Sequence, residues 1–261
     1  MYGNSLEQHQ DVFSNILVWG LIIGTYLSYI PQYYRLYKRK NVLGISEQML
    51  IFGICSCILS VMGAFMKNKT DINNKCISSR YDCYMLIIGL VQLLGPYICA
   101  HIFYIMYYYY FKRQVLILIN REMPKIKVVR KRFYIILGFV GVTIIYSIIN
   151  FFISSQRVND INNEVFNITS CLFSIVMWLP QIYETYEIKG NYSLSIFALA
   201  VHCLGCILTI VFQFVFNHQN IFVVLPYIFG ATLEFFVIIL CIYYQCKGKD
   251  NKHSIYHNLI N

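Results

Sequence analysis

Seven apolar stretches, each about as long as a helix that crosses a bilayer, decide what this chain can fold into. They run approximately over Phe13–Tyr34, Met49–Met66, Tyr84–Tyr108, Tyr134–Ile153, Val165–Tyr186, Leu194–Phe216 and Phe222–Tyr244. A hydrocarbon core about 30 Å thick demands about twenty predominantly apolar residues of a helix that spans it. Only 13% of the 261 residues are charged and 58% are hydrophobic. A soluble domain carries about 25% charged residues, so a water-facing surface would be hard to assemble here. The expected fold is all-α, a polytopic membrane protein with seven transmembrane helices in a single membrane domain over residues 1–261. No segment between the spans is long enough for a soluble domain. The first ten residues are polar and lack a basic start, so the first span reads as a retained helix rather than a cleaved leader.

The net charge of +9 is placed for a bilayer and not for nucleic acid. With the N-terminus outside, the inside segments hold Arg35, Lys38, Arg39 and Lys40, eight basic residues from Lys112 to Arg132, then Lys189, Lys247, Lys249 and Lys252. The outside segments hold Lys67, Lys69, Lys75, Arg80 and Arg157, giving sixteen basic residues inside against five outside. Orientation follows the Lys/Arg excess in short loops, so the N-terminus is expected to be lumenal or outside and the C-terminus cytosolic. The inside cations would then touch anionic headgroups.

The chain also repeats itself. Laying Tyr29–Ser60 over Trp178–Thr209 without a gap gives ten identities in thirty-two positions, among them Pro31/Pro180, Gln32/Gln181, Tyr34/Tyr183, Tyr37/Tyr186, Lys40/Lys189, Ser46/Ser195 and Cys57-Ile58-Leu59 over Cys206-Ile207-Leu208. Chance gives roughly two or three with such a composition. Spans 1–3 and 5–7 are the expected repeat units, over residues 12–112 and 163–247, with span 4 at residues 133–154 as linker. Two three-helix units joined directly would point in opposite directions. One added crossing makes them parallel, a 3+1+3 arrangement of two triple-helix bundles. Repeats of this kind mark many secondary transporters.

Each Pro-Gln pair lies near the cytosolic end of the first helix of its unit. Proline lacks an N–H and clashes with the carbonyl four residues back, at Leu27 and Val176, so a kink is expected at both. The freed carbonyl needs a partner in lipid, and the amide of Gln32 or Gln181 can donate to it or to a substrate. The segments YIPQYYRLYKRKNVLGIS and WLPQIYETYEIKGNYSLSI resemble the two signatures of PQ-loop repeat proteins, a family that includes lysosomal cystine and cationic amino-acid exporters and is related to the SWEET sugar transporters. The resemblance implies parallel triple-helix bundles, alternating access, and hinge or gating roles for Pro31, Gln32, Pro180 and Gln181.

Ionisable groups inside spans are costly and functional by default. Glu234 lies mid-span in the seventh helix, and His202 lies in the sixth, where its repeat equivalent is Gly53. In cystine-transporter-like members an acid stands at about the place of His202 and another near Glu234. Glu234 keeps that character and His202 departs from it. Histidine titrates near pH 6.5, so protons are candidate coupling ions. Gln92 and His101 in the third helix are half a turn out of phase; Gln92, deeper and one turn before Pro96, is the better candidate for the central path.

Most of the ten cysteines lie within spans and read as small packing residues. Cys203-x-x-Cys206 has no second pair at zinc spacing, so neither a metal site nor a cofactor is expected. Cys76 and Cys83 fall in or beside the loop between spans 2 and 3, where a lumen would allow a disulfide. Asn68-Lys69-Thr70 is a glycosylation sequon on the same loop. Gly20-x-x-x-Gly24 permits close helix contact, and Tyr256-His257-Asn258-Leu259 resembles an endolysosomal sorting signal. Without a P-loop, H-E-x-x-H or G-x-S-x-G pattern, an ATP-driven pump and a hydrolase are disfavoured, and no enzyme activity is expected. The leading reading is a secondary carrier that moves a small polar metabolite, amino acids first, across an endolysosomal or vacuolar membrane. The alternative is a non-transport trafficking or cargo receptor, or a factor acting on lipid distribution. A seven-helix signalling receptor is disfavoured by the repeat and by Arg80-Tyr81-Asp82, which sits at the outside start of span 3.

Overall fold

A computed structural model describes residues 3–117, 123–190, 192–215 and 221–247. The basic positions Arg121, Lys249 and Lys252 and the tail motif at 256–259 lie outside them. The described residues form α1 (Gly3–Arg39), α2 (Glu47–Lys67), α3 (Lys69–Ser78), α4 (Arg80–Ile117), α5 (Met123–Ile153), α6 (Gln156–Val176), α7 (Trp178–Ile188), α8 (Ile196–Val215) and α9 (Ile221–Lys247). Five stretches are long and apolar enough to cross a membrane: Glu47–Lys67, Leu86–Gln114, Lys127–Ile153, Gln156–Ile188 and Val224–Lys247; Ile196–Val211 of α8 is apolar but shorter. Large apolar side chains such as Val142, Phe152, Leu172, Phe197 and Phe235 point outward and are more than half exposed. A water-soluble surface rarely exposes apolar area on this scale, whereas lipid favours it. The chain is a multi-pass membrane protein.

The two Pro-Gln segments are alike in backbone form. α1 runs through Pro31 without interruption. In the second half the backbone at Met177, between α6 and α7, stays helical (φ −60°, ψ −30°) and its N–H donates to the Phe173 carbonyl at 2.9 Å, so Gln156–Ile188 runs as one span of 33 residues. Each proline removes one N–H from the helical ladder, the one that the carbonyl four residues back, at Leu27 or Val176, would otherwise accept.

α1 packs on α4, and α4 on α2; α6 and α7 pack on α9, and α9 on α8. The halves meet through α1 against α8 and α2 against α6. These two contacts are equivalent to one another under the repeat. α2 is the most enclosed span, with 56% of its apolar window buried against 28% or less elsewhere, because α4, α5, α6 and α7 all lean on it. α5 packs on α2 and α4 of the first half. A charge-assisted bond ties it there, with Arg132 Nη1 donating to Glu47 Oε2 at 2.8 Å. Tyr104 donates to the other oxygen of Glu47 at 3.3 Å.

Small polar residues let α2 and α6 approach. Ser56 Oγ lies 2.9 Å from Ser170 Oγ and 2.6 Å from Ser174 Oγ, and Ser60 Oγ is 2.7 Å from Ser170 Oγ. A Cβ on Gly63 would meet Asn163 Oδ1 at 3.2 Å and Phe166 Cβ at 3.3 Å. In a membrane, small side chains and interhelical hydroxyl bonds supply the association that hydrophobicity cannot. The Gly20/Gly24 pair, expected to serve this purpose, has open space around it: a Cβ on either residue would meet nothing within 4 Å. The close approach falls at Gly63 instead.

Candidate functional site

Both helix-to-helix connections that follow the Pro-Gln motifs begin with a left-handed lysine. Lys40 and Lys189 each have φ 52° and end α1 and α7 respectively. That conformation normally favours glycine or asparagine and costs another residue roughly 1–2 kcal/mol. The same unfavourable choice at two equivalent positions shows that both loops need the sharp turn. It folds residues 41–46 and 192–195 back across the ends of the helices, where they meet.

The glutamines hold them there. Gln32 Nε2 donates to the Ser193 carbonyl at 3.0 Å, and its Oε1 accepts from the Ser195 amide at 2.7 Å. Gln181 Nε2 donates to the Gly44 carbonyl at 2.9 Å, and its Oε1 accepts from the Ser46 amide at 2.9 Å. Residues 44 and 46 are the repeat equivalents of 193 and 195, so the two clamps are the same bond pair made reciprocally. Each glutamine grips the loop of the opposite half. The expected bond to its own freed carbonyl is not what the amide makes. Both glutamines are buried, Gln181 completely, so these four backbone groups have no water to turn to and the clamp satisfies them.

Further bonds fasten the same junction. The Ser193 amide donates to the Leu43 carbonyl at 3.0 Å, and Ser193 Oγ donates to the Asn41 carbonyl. Arg35 donates to the Tyr192 carbonyl through Nε at 3.0 Å and Nη2 at 2.6 Å, and Arg39 reaches the same oxygen. The repeat places Glu184 opposite Arg35 and Ile188 opposite Arg39, so this arginine bolt exists on one side only.

Directly inside the junction lies a cavity of about 110 Å³. Most of its lining is apolar, Met49, Phe103, Met177 and Leu199 among it, while Ser28, Gln32, His202 and Glu234 bring its few polar groups; Tyr29 and Trp178, also in the wall, are repeat equivalents. A water needs about 10–15 Å³ on this measure, so there is room for several waters or one small molecule. His202 Nδ1 is 2.8 Å from Glu234 Oε2. Glu234 is 1% exposed, and its other oxygen, Oε1, has no hydrogen-bond partner among the described residues; nor does Trp178 Nε1. The rings of Tyr29 and His202 meet edge to face with their centroids 6.3 Å apart.

Pro-Gln pairs in register, enclosing a cavity between two halves that repeat each other, meet their counterpart in one comparison. The family described as PQ loop repeat matches residues 13–72 and 163–223. The chain carries two PQ-loop repeats. The matched segments cover the first two helices of each half and contain both clamps and His202; α4 and α9, with Glu234, lie beyond them. Compared with curated proteins, the chain matches none.

The structure gathers Gln32, His202 and Glu234 around one cavity and places Gln181 behind it in the second clamp. Gln92 is half-buried on α4 and does not line the cavity. His101 lies against Tyr97, the rings tilted at 60° with centroids 4.5 Å apart. Cys76 and Cys83 form a disulfide between α3 and α4, and Asn68 caps the end of α2 through its backbone N–H. Two features escape a reading of the sequence. Tyr29 and Trp178 flank the cavity, which their places two residues before each proline could have signalled. Cys206 lies against His202, with Sγ 3.9 Å from Nδ1, and the His-x-x-x-Cys spacing on one helix face is the available sign.

Proposed function

We propose that this PQ-loop protein is a secondary carrier that moves a small polar metabolite, amino acids first, through the cavity between its halves by alternating access. The observation that carries the reading is the reciprocal glutamine clamp. A lock built from equivalent parts of both repeats closes one end of a central cavity, so opening it separates the halves and exposes the cavity on that side. The cavity admits one small molecule, and Glu234, His202, Gln32 and the indole of Trp178 can contact its polar groups. The helix contacts support a 3+1+3 plan of two parallel bundles, with α1, α2 and α4 in one, α6–α9 in the other and α5 as linker. Purified protein in liposomes preloaded with an unlabelled metabolite panel should show counter-flow of the matching labelled compound. Lipid redistribution between leaflets without counter-flow of any metabolite would replace the carrier with the lipid-acting alternative.

In the same reading the clamps close the cytosolic end, because Arg35, Lys38, Arg39, Lys40 and Lys189 cluster beside them and basic loops stay inside. The host membrane is endolysosomal or vacuolar, with the N-terminus lumenal. A protease-accessibility assay on intact organelles should remove a C-terminal tag and spare an N-terminal one. The opposite pattern would place the clamps on the lumenal face.

A further inference from the structure

We propose that His202, Cys206 and Glu234 bind a divalent cation of the zinc class at the edge of the cavity, which His202 and Glu234 line. His202 and Cys206 are four residues apart on α8, so both side chains project from one face of the helix. Glu234 reaches them from α9. The ligating atoms of all three lie within 4.8 Å of one another, with 2.8 Å between imidazole Nδ1 and carboxylate Oε2 and 3.9 Å between Nδ1 and Sγ. Zinc bound at about 2.0–2.1 Å to nitrogen, 2.3 Å to sulfur and 2.0–2.2 Å to oxygen holds such donors roughly 3.3–3.7 Å apart in a tetrahedron. The observed separations bracket that range, so small side-chain rotations suffice.

Charge supports the same occupant. A thiolate and a carboxylate together cancel a divalent cation, and neutral imidazole completes a site of zero net charge, the form best tolerated within a bilayer. Glu234 is almost fully buried with one oxygen unpartnered among the described residues, and none of the described lysines or arginines lines the cavity. The carboxylate is thus only half satisfied by His202. Imidazole with thiolate selects zinc-like ions over magnesium or calcium, which prefer oxygen donors. Three protein ligands leave a fourth position for water or for a polar group of a molecule in the cavity. Binding releases the Cys206 thiol proton and any proton held between His202 and Glu234.

The Cys203-x-x-Cys206 pair is not the ligand set, because Cys203 Sγ turns to the Ala231 carbonyl at 3.6 Å. The site also belongs to one repeat alone, since Gly53 stands where His202 has its equivalent. It stands independently of what the carrier moves.

The test is a cobalt titration of the purified full-length protein in lipid nanodiscs after chelator treatment. One equivalent of Co²⁺ should bring up a thiolate-to-cobalt charge-transfer band, and Zn²⁺ should displace it. Cys206→Ser should abolish the band, and Glu234→Gln should weaken cobalt affinity at least tenfold. Cys203→Ser and Cys57→Ser should retain it. A wild-type protein with no such band overturns the proposal, whatever the variants do. So does a band that survives Cys206→Ser.

Discussion

Gln181→Ala is expected to release the α1–α2 loop, although the substituted residue lies in the other half of the chain. The change strips partners from the Ser46 amide and the Gly44 carbonyl. Each buried group so orphaned costs about 1–3 kcal/mol, so the closed junction loses about 2 kcal/mol at the least. Where the clamp exists in the closed form only, that loss raises the open population about 30-fold. Hydrogen exchange reads this directly. Peptides covering residues 43–50 should exchange at least tenfold faster in Gln181→Ala, and Gln32→Ala should do the same for peptides covering 192–199. Gln181→Glu should behave like the alanine variant, because the carboxylate keeps the acceptor for Ser46 but turns a second acceptor toward the Gly44 carbonyl. Unchanged protection at Ser46 in Gln181→Ala would show that the Gln181 clamp does not hold this loop.

The two prolines should act alike. Pro31→Ala and Pro180→Ala each restore an N–H for the carbonyl four residues back, at Leu27 or Val176, and remove the ring that crowds it. A proline in a helix interior is worth about 3 kcal/mol against continuity, and a tenfold change in rate corresponds to about 1.4 kcal/mol. In the carrier reading proposed above, counter-flow should slow by at least tenfold in both variants at equal reconstituted density, checked by quantitative blotting. Wild-type flux in both would remove the hinge role.

Much of the fold is legible because lipid imposes a simple rule on sequence. A span must be apolar over a fixed length, and Met49–Met66 or Tyr134–Ile153 reveal themselves by that alone. The register of the two Pro-Gln pairs is legible for a different reason: gapless identity fixes which residues are equivalent, and the structure places those equivalents in matching bonds. What Gln32 and Gln181 hold is not legible. Their partners lie 135 to 163 positions away, while a proline's own carbonyl is four residues back, so local reasoning favours the near acceptor. Gly20 and Gly24 mislead because a small-residue motif permits contact without choosing a neighbour; Gly63, with no motif around it, faces Asn163 and Phe166. Depth and phase along α4 favour Gln92, but neither says which helix covers that face. Cys203-x-x-Cys206 reads as packing for want of a second pair, and that reading overlooks the neighbour four residues before Cys206 on the same helix face, His202, whose Nδ1 lies 3.9 Å from its sulfur.

The bond between Arg132 and Glu47 gives the two repeats unequal mechanical parts. Its counterpart in the second half has no acid, because Ile196 stands where Glu47 would be. α5 is therefore fastened by an ion pair to the first half alone, so α1, α2, α4 and α5 stand together on one side of the α1–α8 and α2–α6 seams. The His202–Glu234 pair stands on the other side. Two halves that began alike have divided their assets, the extra helix going to one and the buried titratable pair to the other.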